Sequence, residues 1–309
     1  MPPRDRKRSA YPNDGINMVI TDKLKEQYPF DSHFLELAQH KLHYINEGEG
    51  KEVLVLVHGN PTWSFFYRNI IKELRTKYRV VAIDHMGCGL SDKPKDYPYT
   101  LERRIQDLSS LLDHLKIKNF NMMVHDWGGA IGIGLATRYP ERLQKLILLN
   151  TAAFKSEHIP FTIGLCKLPF FGPFIVKYLN AFCYPATFMT TVKKLPKIIK
   201  KGYLLPYEGA AKRVAISEFV QDIPLHKNHV SYKTLDEIER NLPLLKGEKL
   251  ILWGGKDFCF NDHFYNKWKG IYPEAKSIYY ENAGHYIIED ELESVLLEMN
   301  KFLGASDEA

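Results

Sequence analysis

Six short runs of near-continuous apolar residues punctuate the chain, each stopping at a polar or glycine-rich turn. They are EVLVLVHG (52–59), YRVVAIDHMG (78–87), FNMMVHD (120–126), LQKLILLNTAAF (143–154), EKLILWGGKD (248–257) and AKSIYYENAGH (275–285). Strands buried on both faces read this way, without the alternation of a half-exposed sheet, so the pattern predicts a mostly parallel sheet. Between and after these runs the period changes. LERRIQDLSSLLDHLKI (101–117) and ELESVLLEMNKFL (291–303) place Leu and Ile at helical spacing with charges opposite, which predicts amphipathic helices. Strands alternating with helices predict an α/β architecture with helices on both faces of the sheet.

The alternation fails from about Lys155 to Lys246, where IPFTIGLCKLPFFGPFIVKYLNAF and YLLPYEGAAKRV are rich in aromatic residues and proline and show little sign of strands. This predicts a core split in two, residues 1–154 and 247–309, with a mainly helical cap over 155–246. In open α/β sheets ligands bind at the carboxyl edge of the strands. An apolar lid over that edge implies an apolar substrate, although most of its aromatics also serve to join lid to core. A net charge of +5 from 42 basic and 37 acidic residues gives no footprint for a nucleic-acid partner. The excess gathers at Arg4, Arg6, Lys7 and Arg8 and again from Lys193 to Lys201. The first cluster reads as a solvated tail (residues 1–15) in preference to a contact for anionic lipid or an acidic partner; it lacks the apolar core of a signal peptide, and no apolar run is long enough to span a bilayer. Cys88, Cys166, Cys183 and Cys259 are far apart, without metal-ligand spacing. That predicts a reduced, cytoplasmic protein with no metal and no cofactor.

Three candidate catalytic residues lie just past the ends of predicted strands: Asp126 in VHDWGG, Asp257 in GGKDF and His285 in ENAGH. Singly they mean little, since an aspartate between strand and helix is an ordinary N-cap. Together they follow the order nucleophile, acid, base that α/β-hydrolases use. Small residues after Asp126 (Gly128, Gly129, Ala130, Gly132, Gly134) suit a helix packed tightly on its strand, as a sharp nucleophile elbow requires. The Trp127 backbone N–H and the His58-Gly59-Asn60-Pro61 turn would form an oxyanion hole. The Trp127 indole and the Asn60 amide add two donors able to hold an anion, though a tryptophan here also packs a core and an asparagine before proline also makes a turn. Asp84, Gly87 and Gly89 read as turn residues, and Cys88 as an incidental small one. An aspartate at the elbow can displace a leaving group at saturated carbon and form an alkyl ester, with His285, oriented by Asp257, as the base.

HGNPTWSFFYR, DHMGCGLSDKP and VHDWGG resemble the haloalkane dehalogenase group of the α/β-hydrolase superfamily. The resemblance implies Asp126 as nucleophile, His285 as base, and Asn60 with Trp127 as the anion-binding pair. In that group the acid can follow either of two strands; the position after LILLN is Asn150, which favours Asp257. A narrower resemblance covers nearly the whole chain. LNTAAF, LNAF, GYLLPY, FVQDIPL, WGGKDFCF and AGHYIIED are similar to the β-lactone decarboxylases of long-chain olefin biosynthesis, the OleB type. It implies a cis-3-alkyl-4-acyloxetan-2-one-type β-lactone with two long alkyl arms as substrate, converted to a cis-alkene and carbon dioxide. It also implies partnership with the thiolase, reductase and β-lactone synthetase of that pathway. Which ring carbon Asp126 attacks is left open by these residues. The rival readings are a true haloalkane dehalogenase and an epoxide hydrolase, which would need a pair of cap tyrosines among Tyr178, Tyr184, Tyr203 and Tyr207. A non-catalytic scaffold is disfavoured because no triad member is missing.

Overall fold

The computed structural model describes residues 21–157 and 159–304, so the basic arm lies outside the described residues. Eight strands form one sheet: β1 (His33–Leu37), β2 (His40–Glu47), β3 (Val53–Val57), β4 (Arg79–Ile83), β5 (Phe120–Asp126), β6 (Leu143–Thr151), β7 (Glu248–Gly254) and β8 (Lys276–Tyr280). Their order is β1-β2-β4-β3-β5-β6-β7-β8, parallel from β4 to β8 with β1 and β2 antiparallel at one edge. The central strands carry Val, Leu, Ile and Met with almost no exposure, as a sheet covered on both faces requires. The predicted helices are Leu101–His114 and Leu292–Leu303. The first starts at Thr100, whose side chain accepts from the Arg103 N–H as an N-cap. The β1–β2 hairpin has no counterpart in the apolar runs, because HFLEL and HKLHYINE mix histidine and charge into an edge position.

Between β6 and β7 the described residues are helical and irregular, with short helices such as Phe161–Lys167, Phe171–Tyr178, Cys183–Met189, Lys197–Leu204 and Val214–Gln221. Their side chains dock this segment on the loops at the carboxyl edge of the sheet. Trp63 donates its indole N–H to the Gly202 carbonyl (3.1 Å), and Tyr207 its hydroxyl to that of Thr62 (3.0 Å). Glu289 takes a bidentate pair from buried Arg68 (2.6 and 2.9 Å) and a further hydroxyl from Tyr203. Asp290 accepts from the backbone of Val192 (3.0 Å), Lys193 (2.8 Å) and Gly284 (2.8 Å).

Asp84 ties the loops behind β3 and β4 together. It is fully buried and accepts from the Ser64 N–H (2.7 Å), the Leu90 N–H (2.9 Å) and the His43 ring (2.8 Å). Burial alone would raise its pKa, but His43 and these donors overcome that and pull it down to about 2.

Candidate active site

β5 ends in a turn so sharp that Asp126 takes φ 53°, ψ −130°, a conformation L-residues rarely adopt. The neighbours hold it there. The Thr151 hydroxyl donates to the Asp126 carbonyl (2.5 Å), and the helix Trp127–Arg138 packs so closely that a Cβ on Gly128 would lie 2.0 Å from the Val57 carbonyl. Opposite this elbow β6 carries a one-residue irregularity. His125 pairs with Leu149 and Asp126 with Thr151, leaving Asn150 as the extra residue with φ 22°. Its amide bonds the Gly254 carbonyl (3.0 Å) and N–H (2.8 Å), splicing the ends of β6 and β7.

The elbow brings Asp126, Asp257 and His285 together. His285 Nδ1 lies 2.7 Å from Asp257 Oδ2, and Asp257 Oδ1 accepts the Cys259 N–H (2.7 Å). His285 Nε2 faces Asp126 Oδ2 at 3.6 Å. All three side chains are buried. Burial works against a proton on His285, yet the Asp257 and Asp126 carboxylates outweigh it and raise its pKa. Burial raises the pKa of Asp126, against the opposing pull of His285 and of the Trp127 and Asn60 N–H groups.

The expected oxyanion hole has a different occupant. The Asn60 N–H donates to Asp126 Oδ1 at 2.6 Å, and the Trp127 N–H also stabilises this carboxylate. A serine would leave both amides free for a substrate oxygen; here Oδ1 takes the Asn60 amide, and the Trp127 amide also serves the carboxylate. Asp126 is therefore split into a held oxygen, Oδ1, and an available one, Oδ2. The Asn60 side chain sends one N–H to the Ile216 carbonyl (3.2 Å), while the Trp127 indole N–H has no acceptor among the described residues. The Trp127 ring rests on Phe219 (5.4 Å between centroids), so packing and cavity lining are combined in one side chain. Phe219 also meets Arg104, whose Cζ is 3.6 Å from the ring centroid.

Asn60, Asp126, Trp127 and His285 line one cavity of about 200 Å³. The rest of its wall is mostly apolar, including Phe154, Ile163, Phe182, Val220, Ile223 and Leu235, from both the sheet edge and the inserted helices. None of the four candidate tyrosines lines it. Tyr178 and Tyr184 are exposed, and Tyr203 and Tyr207 are buried in the docking bonds described above.

Two neighbours of the triad carry no signal in the apolar pattern. His125 is fully buried and its Nε2 lies 2.9 Å from the His285 carbonyl, which can only accept, so Nε2 holds the hydrogen. Burial and the nearby His285 keep its pKa well below the usual value, so it is neutral. Phe260 stacks on the His285 ring (5.7 Å, 15°). His125 stands beside the elbow in the sequence, where its polarity in an otherwise apolar strand was the available clue.

The family model described as "alpha/beta hydrolase fold" matches residues 52–292. The chain is 44% identical over 284 residues to a cis-3-alkyl-4-alkyloxetan-2-one decarboxylase of Shewanella oneidensis, covering 89% of each chain. It is 34% identical over 273 residues to the protein of that name from Xanthomonas campestris, covering 84% of this chain and 91% of the relative. Among solved structures, the haloalkane dehalogenase DatA of Agrobacterium tumefaciens superposes with a TM-score of 0.81 at 21% identity, over 89% of this chain and 96% of that one. The chain belongs to the α/β-hydrolase family, in the branch of the cis-3-alkyl-4-alkyloxetan-2-one decarboxylases.

Proposed function

We propose that this enzyme converts a cis-β-lactone with two hydrocarbon arms into a cis-alkene and carbon dioxide. The observation that carries the mechanism is the division of labour within Asp126. With the Asn60 amide engaged by Oδ1 and the Trp127 amide also turned to this carboxylate, the site offers no empty oxyanion hole for a tetrahedral intermediate at the lactone carbonyl. It offers a free Oδ2 in an apolar cavity, which suits attack at the saturated ring carbon that bears oxygen. Oδ2 bonds to that carbon from the face opposite the ring oxygen, and the carbon–oxygen bond breaks to give a carboxylate on the neighbouring carbon. The new ester and the carboxylate then stand anti to each other. The bond to the carboxylate breaks, its electron pair forms the double bond, carbon dioxide leaves, and the Asp126 carboxylate is regenerated. Inversion followed by anti fragmentation retains the arms on one side, so a cis-lactone gives a cis-alkene. No water is consumed and no proton changes hands overall.

The other residues fit this sequence of bond changes. Asn60 and Trp127 are the donors for the carboxylate that departs from the ring carbon. His285, whose pKa Asp257 raises, supplies a counter-charge beside Oδ2. Residues 155–246 act as the cap that keeps the arms out of water, dividing the core into 1–154 and 247–309. A β-lactone must be supplied by a ring-closing synthetase acting on a β-hydroxy acid, the product of thiolase and reductase steps. With four free cysteines, a cytoplasmic site of action fits.

A second reading, hydrolysis of carbon–halogen bonds through an alkyl ester on Asp126, uses the same nucleophile and anion donors. One preparation assayed for alkene release from a synthetic cis-β-lactone and for halide release from a long-chain bromoalkane separates them. Alkene release that exceeds halide release supports the lyase reading, and the reverse sinks it. Asp126→Ala must abolish whichever activity is present.

A further inference from the structure

From residue 158 to residue 207 the sequence holds seven lysines (167, 177, 193, 194, 197, 200 and 201) and no aspartate, glutamate or arginine. This stretch therefore carries +7, against +5 for the whole chain, so the remainder is −2. The same stretch holds eleven of the sixteen exposed large hydrophobic side chains among the described residues. Phe161 is 80% exposed and Phe170 92%, and Phe171, Phe174, Tyr184 and Phe188 are each more than half exposed. These residues sit on or beside the three consecutive short helices Phe161–Lys167, Phe171–Tyr178 and Cys183–Met189. Scattered exposed apolar residues are ordinary, but a run of aromatic rings confined to one segment marks a contact surface.

We infer that this face of the cap docks on an anionic lipid bilayer. Aromatic rings are favoured at the interfacial level of a bilayer, and lysines flanking them are drawn to anionic headgroups. Nearby acidic groups would oppose such docking, and this stretch has none. A second copy of the chain is a poor occupant, because a symmetric contact would set a lysine-rich stretch without a single acidic residue against its own copy. The surface also connects with the site. Thr162, Ile163 and Cys166 of the first helix line the cavity, as do Pro185 and Ala186 of the third, while Met189 both lines the cavity and is 41% exposed. The wall of the hydrocarbon cavity and the docking face are thus two sides of the same helices. Docking stands on the surface alone. If the proposed reaction holds as well, hydrocarbon passes between bilayer and cavity without crossing water.

The test is co-sedimentation of the full chain with phosphatidylcholine vesicles, with and without phosphatidylglycerol, at low and high salt. Two variants accompany the wild type: Phe161→Ser/Phe170→Ser/Phe174→Ser, and Lys194→Gln/Lys197→Gln/Lys201→Gln. None of these residues lines the cavity. The wild type should bind the anionic vesicles and release them in salt, and each variant should lose at least about tenfold in partitioning. Turnover of a short, water-soluble cis-β-lactone should stay at the wild-type value, which also reports correct folding. Equal binding to both vesicle types, or variants that bind like the wild type, would overturn the inference. Arg4, Arg6, Lys7 and Arg8 are unchanged in every variant, so binding through them survives both sets and counts against it. So does a dimer seen by light scattering that the phenylalanine variant dissolves, or capture by an acidic protein without vesicle binding. Vesicle binding with no lactone turnover would uphold the docking face and refute only the proposed reaction.

Discussion

Asp126→Asn separates what the elbow does for chemistry from what it costs the fold. Asparagine matches the shape of aspartate and is better tolerated at positive φ. Its Oδ1 can keep the N–H donor of Asn60. The proposed nucleophile is lost, so alkene release from a cis-β-lactone should fall by at least about 1,000-fold. Stability should move the other way. Burial raises the pKa of Asp126, so the folded state holds this carboxylate ionised at neutral pH at a penalty. That penalty is absent once pH falls low enough to protonate the group in both states. Two charge-assisted hydrogen bonds become neutral ones, a loss of about 1 kcal/mol each. Against this, the effective penalty of a buried carboxylate is on the order of several kcal/mol, part of it offset by His285. The balance is a gain of about 1–2 kcal/mol at pH 7, or about 2–3 °C in Tm for a chain of this length. The assays are gas chromatography of the alkene and thermal denaturation at pH 7 and at about pH 4, with intact mass to exclude deamidation back to aspartate. A lower Tm at pH 7 would refute the view that Asp126 is a charge held against the interest of the fold.

Three further substitutions test other parts of the site. Gly59→Ala would put a Cβ 2.0 Å from Asp126 Oδ1 and 2.4 Å from its Cβ; the cradle must open, and loss of one charged hydrogen bond lowers kcat by about 10- to 150-fold, with the overpacking also lowering Tm. A smaller loss in steady-state kinetics means that Oδ1 is not held as described. His285→Gln treated with a long-chain bromoalkane should accumulate an alkyl ester on Asp126, visible by intact mass, whereas cis-β-lactone should leave no lasting adduct because its fragmentation needs no water. A persistent lactone adduct would rule out the anti fragmentation. Asp84→Asn should remove a stabilisation of about 2–3 kcal/mol that is present above the ordinary carboxylate pKa and lost as pH falls through about 2. Urea melts from pH 7 down to the acid limb check this, and parallel curves for the two proteins would contradict it.

The parallel strands and the meeting of Asp126, Asp257 and His285 were legible because both follow from local pattern. FNMMVHD is a strand at the predicted residues, and a chain leaving a buried strand for a helix must turn at Asp126. The expected runs overshoot elsewhere: LQKLILLNTAAF continues past the strand end at Thr151, because a bulge is invisible to hydrophobic period. What the pattern hides are relationships between distant side chains. Nothing near Arg68 announces Glu289, 221 residues away, and nothing in FVQDIPL says that its phenylalanine meets both Trp127 and Arg104. The occupied oxyanion hole was missed for a geometric reason. The motif points to the amides of Asn60 and Trp127, and only their three-dimensional placement reveals that the Asp126 carboxylate itself engages them.

The bonds from Asp290 to the backbone at Val192, Lys193 and Gly284 bear on how this protein can be re-engineered. One carboxylate fastens the loop before His285 to the inserted helices, so the two regions are not exchangeable parts. A chimaera that takes residues 155–246 from a relative while keeping 284–290 would present foreign backbone to Asp290 and a foreign partner to Glu289, shifting the imidazole along with the roof. Transplanting specificity therefore calls for moving both segments together, as one unit of inheritance.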